Sequence, residues 1–435
     1  MPDAPHLPVD DRSAAPLADR GLRLALVDGS DADAVRDWRE SVARGFLDPW
    51  STAEQHAEAL PDAAGHRLTA VFDDTLAEAR YPVATAASWP AALSLPGGDV
   101  DAWAVTSVTV APTHRRRGVA RALLEAELRT AAAAGLPIAM LTASEATLYA
   151  RYGFGPAAWV ADLRIDARRL RYTGPEVPGR VQLVGRATIL EDVPRIFEAA
   201  RRRIPGGVHV DGLLLTRLFG RMSDDAGLRA HRFARYDDAD GVPQGYVAYT
   251  AVESPEDVTE SRIEVHHLAA ATADAEAALW RFLIEHDLIG EVVAQLRSVD
   301  EPVRWLVDDP RAVRTTAMTD HLWLRVLDPV AALEARRYLG PGRLDLEIAD
   351  PLGYADGRIR LVVDEHGGAA AGPVEAATGP ALALDVSALG SLLLGGVRAT
   401  TLAATGRIRE GEPGDAAAAD ALLASPVAPW LGVWF

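Results

Sequence analysis

The stretch VTVAPTHRRRGVARALLEAEL, Val108 to Leu128, decides how the rest of the chain is read. A β-branched run ends in Ala-Pro, His114 and three arginines follow, and Gly118 opens an alanine- and leucine-rich helical pattern. Residues Arg115 to Ala120 fit R-x-x-G-x-A, with a strand before them and a helix after. The first N–H groups of a helix point outward unpaired, and the helix dipole favours an anion there. Glycine lets an anion come close to the backbone, and guanidinium groups suit a pyrophosphate. The stretch reads as a pyrophosphate clamp; a solvated basic turn capping a helix is the plainer alternative. Neither the triphosphate loop G-x-x-x-x-G-K-[ST] nor the dinucleotide fingerprint G-x-G-x-x-G is supported.

Working outward, GLRLALV alternates as a strand, and DGSDADAVRDWRESVARGF opens on cap residues and continues as an amphipathic helix. RLTAVFDD, VATAASWPAALSL and DAWAVTSVTVAP predict three further strands. The helix after the clamp closes at Gly135, followed by the strand LPIAMLTAS, the loop EATLYARYGFGPAAW and the strand WVADLRID. This gives an α/β domain over residues 21–165. A Pro/Gly-punctuated linker leads into a second region, 166–308, which repeats the order of elements. In that repeat IEVHHLAAAT runs into ADAEAALWRFL with no arginine and no glycine at the junction, and Asp274 and Glu276 at the helix start repel a phosphate. The third region, 309–435, opens on the strand DHLWLRVLD and the helix PVAALEARRYL, and includes a hairpin, RLDLEIADP with GRIRLVVDEHG. Residues 1–20 are rich in Pro and Asp and predict a disordered tail, not a signal peptide.

Net charge is −18, which argues against a nucleic-acid partner and is compatible with a cationic substrate. With no cysteine, disulfides, thiolate metal sites and Cys nucleophiles are excluded, and a reducing cytoplasm fits. All 44 basic residues are Arg, which removes lysine Schiff-base chemistry. No apolar run reaches the ~18 residues of a membrane span. His66, His266 and His267 lack metal-like spacing and read as structural; no metal is expected.

The strand ending V-T-V-A-P, the R-x-x-G-x-A loop and the helix after it resemble the acetyl-CoA site of the GCN5-related N-acetyltransferase (GNAT) family. The resemblance implies that Val108 and Val110 contact pantetheine, and that Arg115, Arg116, Gly118, Val119 and Ala120 hold the pyrophosphate. It also implies that the strand before the clamp splays from its neighbour. The loop S-E-x-x-x-Y-x-R-[YF]-G-[YF]-G-P-A is similar to that of Eis (enhanced intracellular survival) acetyltransferases, where the first aromatic is the general acid; that position is Tyr149, with Tyr152 as core. Three regions in this order resemble the Eis architecture. It has a catalytic GNAT domain, a degenerate GNAT-like domain without a CoA site, and a sterol-carrier-like domain. The implied fold class is α/β (α+β), with mixed, largely antiparallel sheets and helices on both faces.

The chain closes on PWLGVWF, an apolar end where a loose polar one is usual. The resemblance implies that the α-carboxylate of Phe435 reaches the active site as general base, and that Asp48 in GFLDPW holds a cationic substrate. Where some members carry a carboxylate at the penultimate position this chain has Trp434, which makes the pocket less anionic. The expected activity is acetyl-CoA-dependent acetylation of multiply aminated small molecules such as aminoglycosides, at several amines, by a homohexamer. Acetylation of protein or peptide lysines is the alternative. A non-enzymatic lipid carrier that only senses acetyl-CoA is a third reading.

Overall fold

The structure is a computed structural model that describes residues 2–210, 230–255, 257 and 260–435. In chain order the elements begin α1 (Asp11–Ala18), β1 (Arg23–Val27), α2 (Ala32–Phe46), α3 (Ala53–Gly65), β2 (Arg67–Phe72), β3 (Ala84–Leu95), β4 (Gly98–Val110), α4 (Val119–Ala133), β5 (Ile138–Thr142), α5 (Ala146–Tyr149) and β6 (Gly155–Asp166). They continue β7 (Arg180–Val184), α6 (Arg186–Arg201), β8 (Arg232–Asp237), β9 (Pro243–Val252), β10 (Ser261–Ala270), α7 (Ala273–Ile284), β11 (Ile289–Ser298) and β12 (Val313–Val326). The last are α8 (Pro329–Glu334), β13 (Gly342–Ala349), β14 (Gly357–Val363), β15 (Ala369–Pro373), β16 (Ala381–Asp385), α9 (Val386–Leu392), α10 (Ala399–Ala404), β17 (Ile408–Glu410) and α11 (Asp415–Leu423).

Among the described residues, twelve strands form one sheet in the order β1-β2-β3-β4-β5-β12-β6-β11-β10-β9-β8-β7. The order is symmetric about its middle. In each half the fourth strand pairs antiparallel with the third and parallel with the fifth: β4 with β3 and β5, β10 with β9 and β11. The central pair, β12 and β6, closes both halves, with β12 antiparallel to β5 and β6 antiparallel to β11. The third region's own sheet runs β15-β14-β13-β16-β17. This is a mixed α/β fold of two similar halves and a smaller α/β domain.

Two expectations are corrected, and one helix had not been expected. The strand assigned to the third region, β12, is the middle of the large sheet; its apolar run Leu322 to Val326 is buried, and burial alone does not tell which sheet receives a strand. The N-terminal segment is ordered. Asp10 caps α1 by accepting from the Ser13 N–H at 2.8 Å, and Leu17 is buried against Val119 and Leu123 of α4. Arg129 grips Asp10 with two bonds of 2.9 and 2.8 Å, and Arg67 donates to the carbonyls of Leu7 and Pro8. A segment that looked too polar to pack is held by arginines far away in sequence. Last, α3 was not anticipated; Thr52 and Gln55 form a reciprocal capping box that starts it.

Helix α4 is tied to the sheet by one buried carboxylate. Glu127 accepts from Thr69 at 2.8 Å, Ser88 at 2.6 Å and Trp103 at 3.1 Å, and lies 3.9 Å from the buried Arg67 guanidinium. Three donors and a cation offset the cost of burying the charge.

Candidate active site

Strands β4 and β5 pair only at Trp103 with Ala139 and Ala104 with Met140. Beyond that point β4 runs on to Val110 and β5 to Thr142 with no shared register, so they diverge toward the clamp end. Ser107 marks a bulge in β4, with φ of +53° and a register shift against β3. The bulge turns backbone groups of β4 out of the ladder beside the opening. Val108 and Val110 lie on this stretch and are half-buried.

The clamp sits where β4 passes into α4. Arg115, Arg116 and Arg117 are exposed, and the Arg115 Nε donates to the Val110 carbonyl at 3.2 Å. Gly118 is the N-cap of α4 with φ of +76°, and Val119 and Ala120 open the helix. A Cβ at Gly118 meets Arg20 Nη1 at 2.9 Å, and Arg20 also donates to the Arg117 carbonyl. His114 is buried beneath the loop, with its Nε2 3.1 Å from the Asp73 carboxylate. Hydrogen bonds from Thr75 and then His114 hold Asp73 down at about 2. Exposed guanidiniums, a left-handed glycine and unpaired helix N–H groups fit a pyrophosphate, and the open strands fit a pantetheine arm.

Tyr149 ends α5 and is buried with Val105, Leu124, Leu141 and Phe154, its ring meeting Phe154 edge-on at 6.2 Å. Burial raises the phenol above its ordinary value, partly offset by a hydrogen bond with Ser144. The proton is therefore kept until a stronger base accepts it. Tyr152 packs in the same cluster. Phe435 is also buried, with an oxygen of its carboxylate accepting from the Thr142 hydroxyl at 3.0 Å. Its ring lies edge-on to Trp89 at 6.0 Å, and Trp89 stacks on His66 at 4.2 Å. Phe435, Trp89, His66, Thr106, Ser107 and Arg39 line one cavity of about 70 Å³. The structure thus brings the β4 bulge, Phe435 and the end of β5 together, and Tyr149 packs on Leu141 of that same strand.

Asp48 is not brought to this cavity. Leu47 caps α2 in a left-handed conformation at φ of +61° and turns the chain outward, so Asp48 is exposed, with its N–H on the Ala43 carbonyl at 2.9 Å. His267 is buried against Tyr246, and burial pushes it down to about 3; His266 pairs with Thr250. Asp274 and Glu276 occupy the first turn of α7. A hollow of about 890 Å³ lies on the third domain among Glu347, Asp385, Arg358 and Arg407 and touches none of these residues. Among the described residues no group of three or more His, Cys, Asp or Glu could hold a metal ion, and no helix is long and apolar enough to cross a membrane.

Residues 28–157 and 216–326 each match a family described as an acetyltransferase (GNAT) domain, and residues 329–432 match a sterol carrier protein domain. An uncharacterised N-acetyltransferase of Streptomyces avermitilis is 37% identical over 403 residues, 91% of this chain and 94% of its own. The N-acetyltransferase Eis of Mycobacterium tuberculosis is 36% identical over 330 residues, 74% of this chain and 77% of its own. The chain belongs to the Eis family of GNAT N-acetyltransferases. The crystal structure of Eis1 from Mycobacterium abscessus superposes with a TM-score of 0.80 at 29% identity, covering 95% of this chain and all of that one.

As an Eis-family N-acetyltransferase, the protein works with acetyl-CoA, the donor that GNAT acetyltransferases use, and an amine acceptor. Sequence reasoning missed Arg20, Thr142 and His321, which lies 2.8 Å from the Val433 carbonyl. Each is distant in sequence from what it holds, and no local pattern announces such a contact. Thr142 was visible only as one residue of the apolar strand LPIAMLTAS.

Proposed function

We propose that the protein acetylates amines of multiply aminated small molecules, aminoglycosides among them, at more than one position. The observation that supports this reading most is the Phe435 carboxylate at the end of β5, 3.0 Å from Thr142, on the cavity that the Ser107 bulge also lines. Acetyl-CoA supplies an acetyl thioester. The Phe435 carboxylate takes the proton from the acceptor ammonium, so that nitrogen can form the new C–N bond. As the C–S bond breaks, the Tyr149 hydroxyl gives its proton to the departing sulfur, and the second proton that the nitrogen sheds as the amide forms restores the phenol. Val108 and Val110 bind the pantetheine arm, and Arg115, Arg116, Gly118, Val119 and Ala120 bind the pyrophosphate. The net charge of −18 favours cationic acceptors.

The test is incubation of the untagged protein with acetyl-CoA and an aminoglycoside carrying several amines, followed by product masses. Two or more added acetyl groups are expected. A single addition contradicts the multi-site part. No addition, with acetyl-CoA still bound, contradicts the acceptor class and turns the search to lysine peptides. The family reading also carries a homohexamer, which sedimentation measures, and the cysteine-free composition suits a cytoplasmic location, which cell fractionation measures.

A further inference from the structure

The second half of the large sheet has its own counterpart of the acetyl-CoA cleft. Strands β10 and β11 run parallel in register from Ser261–Val265 against Ile289–Ala294. Beyond that, β10 continues to Ala270 and β11 to Ser298 without a shared register, and α7 follows β10 as α4 follows β4. Strand β11 is bulged, with Leu296 at φ of +52°. The opening is a cavity of about 500 Å³, lined by Leu268 and Ala270 from β10, Arg297 from β11 and Glu276 from α7.

One wall of that cavity is the C-terminal segment. Trp430 donates from its indole Nε1 to the Leu296 carbonyl at 2.7 Å, at the bulge itself. The Arg297 guanidinium lies 4.7 Å from the Trp430 ring centroid. Arg297 is in turn fixed across the cleft, by the Leu268 carbonyl at 2.9 Å and the buried Glu301 carboxylate at 2.9 Å. Glu301 also accepts from Trp280 at 2.8 Å. The Trp430 N–H donates to the Pro205 carbonyl at 2.9 Å. From this anchor the chain passes His321, whose Nε2 donates to the Val433 carbonyl at 2.8 Å, and reaches Thr142 at Phe435.

We propose that the degenerate cofactor cleft of the second half is the seat of the C-terminal segment, and that Trp430 is the positioning residue that sets where the Phe435 carboxylate lies. The proposal rests on the reading of that carboxylate as the general base. It gives the second half a part in the reaction without a ligand of its own: its cleft holds the end of the chain, and the first half's cleft uses it. Trp430 acts through Phe435, five residues on, with His321 and Thr142 as the intermediate and final supports.

The test compares Trp430→Ala, Trp430→Phe and a chain lacking Phe435, each as the otherwise full-length protein. Carboxypeptidase digestion reads the seat itself: the wild-type end is expected to resist, and the Trp430→Ala end to be trimmed while the Tm stays within a few degrees. In kinetics Trp430→Ala is expected to lower kcat by roughly tenfold or more with the acetyl-CoA KM unchanged. That deficit is expected to shrink as pH rises, because a growing share of the acceptor amine is neutral without help. Trp430→Phe keeps a ring over Arg297 and is expected to recover much of kcat. Wild-type kcat and an undiminished, protected end in Trp430→Ala overturn the proposal, as does a loss of activity that is uniform across pH. If the chain lacking Phe435 is fully active, the base reading fails instead, and the digestion result still decides whether the cleft seats the segment.

Discussion

Gly118 leaves little freedom at the clamp. Its φ of +76° strains any L side chain, while the contact of a Cβ there with the Arg20 guanidinium tip is relieved by moving that flexible side chain. Gly118→Asp adds a negative charge where the account places a pyrophosphate. It is expected to raise the acetyl-CoA KM by roughly tenfold or more, as is Arg116→Ala, a loss of about 1.4 kcal/mol or more in binding. Steady-state kinetics at saturating acceptor check both; an unchanged KM removes these residues from the cofactor site. A second residue, Glu276, carries a pH signature. Burial, and then the Glu301 carboxylate, push it up to about 7 from 4.5. The folded state therefore holds a proton that the unfolded chain releases between those values, so stability is lost as pH rises through that window. Glu276→Gln is expected to match the wild type in Tm near pH 4 and to exceed it at pH 8, by about 1–3 kcal/mol in unfolding free energy.

Among the elements, α4 shows what sequence makes visible. Its start, its glycine and its stop at Gly135 are all local signals, and the structure has the helix from Val119 to Ala133 with Gly135 at φ of +75°. What fixes it to the sheet is not local. Glu127 meets Thr69, Ser88 and Trp103 from three different strands, and a glutamate in a helix reads as a solvated face until those partners are known. Glu127→Ala leaves three donors without their acceptor and the buried Arg67 guanidinium without its counter-charge. It is expected to cost about 3–5 kcal/mol in chemical denaturation, well above the cost of losing a surface carboxylate. The misreading of α1 has the same origin: Asp10 and the Leu7 and Pro8 carbonyls look solvated until Arg129 and Arg67 are placed beside them. Asp48 was legible only as a matching position in the loop GFLDPW, and the left-handed turn at Leu47 that leaves it exposed was not.

For the whole molecule, the three regions are not beads on a string. Strand β12 lies between β5 and β6, so residues after the second region complete the sheet of the first. The fully buried Arg325 on β12 binds both oxygens of Asp350 at 2.7 Å and donates to the Tyr152 carbonyl at 2.7 Å. One guanidinium thus joins the third domain to the loop that carries Tyr149. Asp350→Ala strands that charge and is expected to destabilise the protein by about 3–5 kcal/mol, with a fall in kcat that exceeds any change in the acetyl-CoA KM. The repeat of element order was readable in the sequence. The exchange of strands between halves was not, since an apolar run states that it is buried and not beside which partner.

The most direct test of the central claim is the pH profile of kcat for a chain extended by one glycine after Phe435. The carboxylate is then one residue away from Thr142 and the cavity. The account predicts a folded protein with unchanged acetyl-CoA affinity, a kcat lower by roughly a hundredfold at pH 7, and partial recovery at high pH. An extended enzyme with the wild-type kcat and the wild-type pH profile contradicts it, and removes the end of the chain from the chemistry.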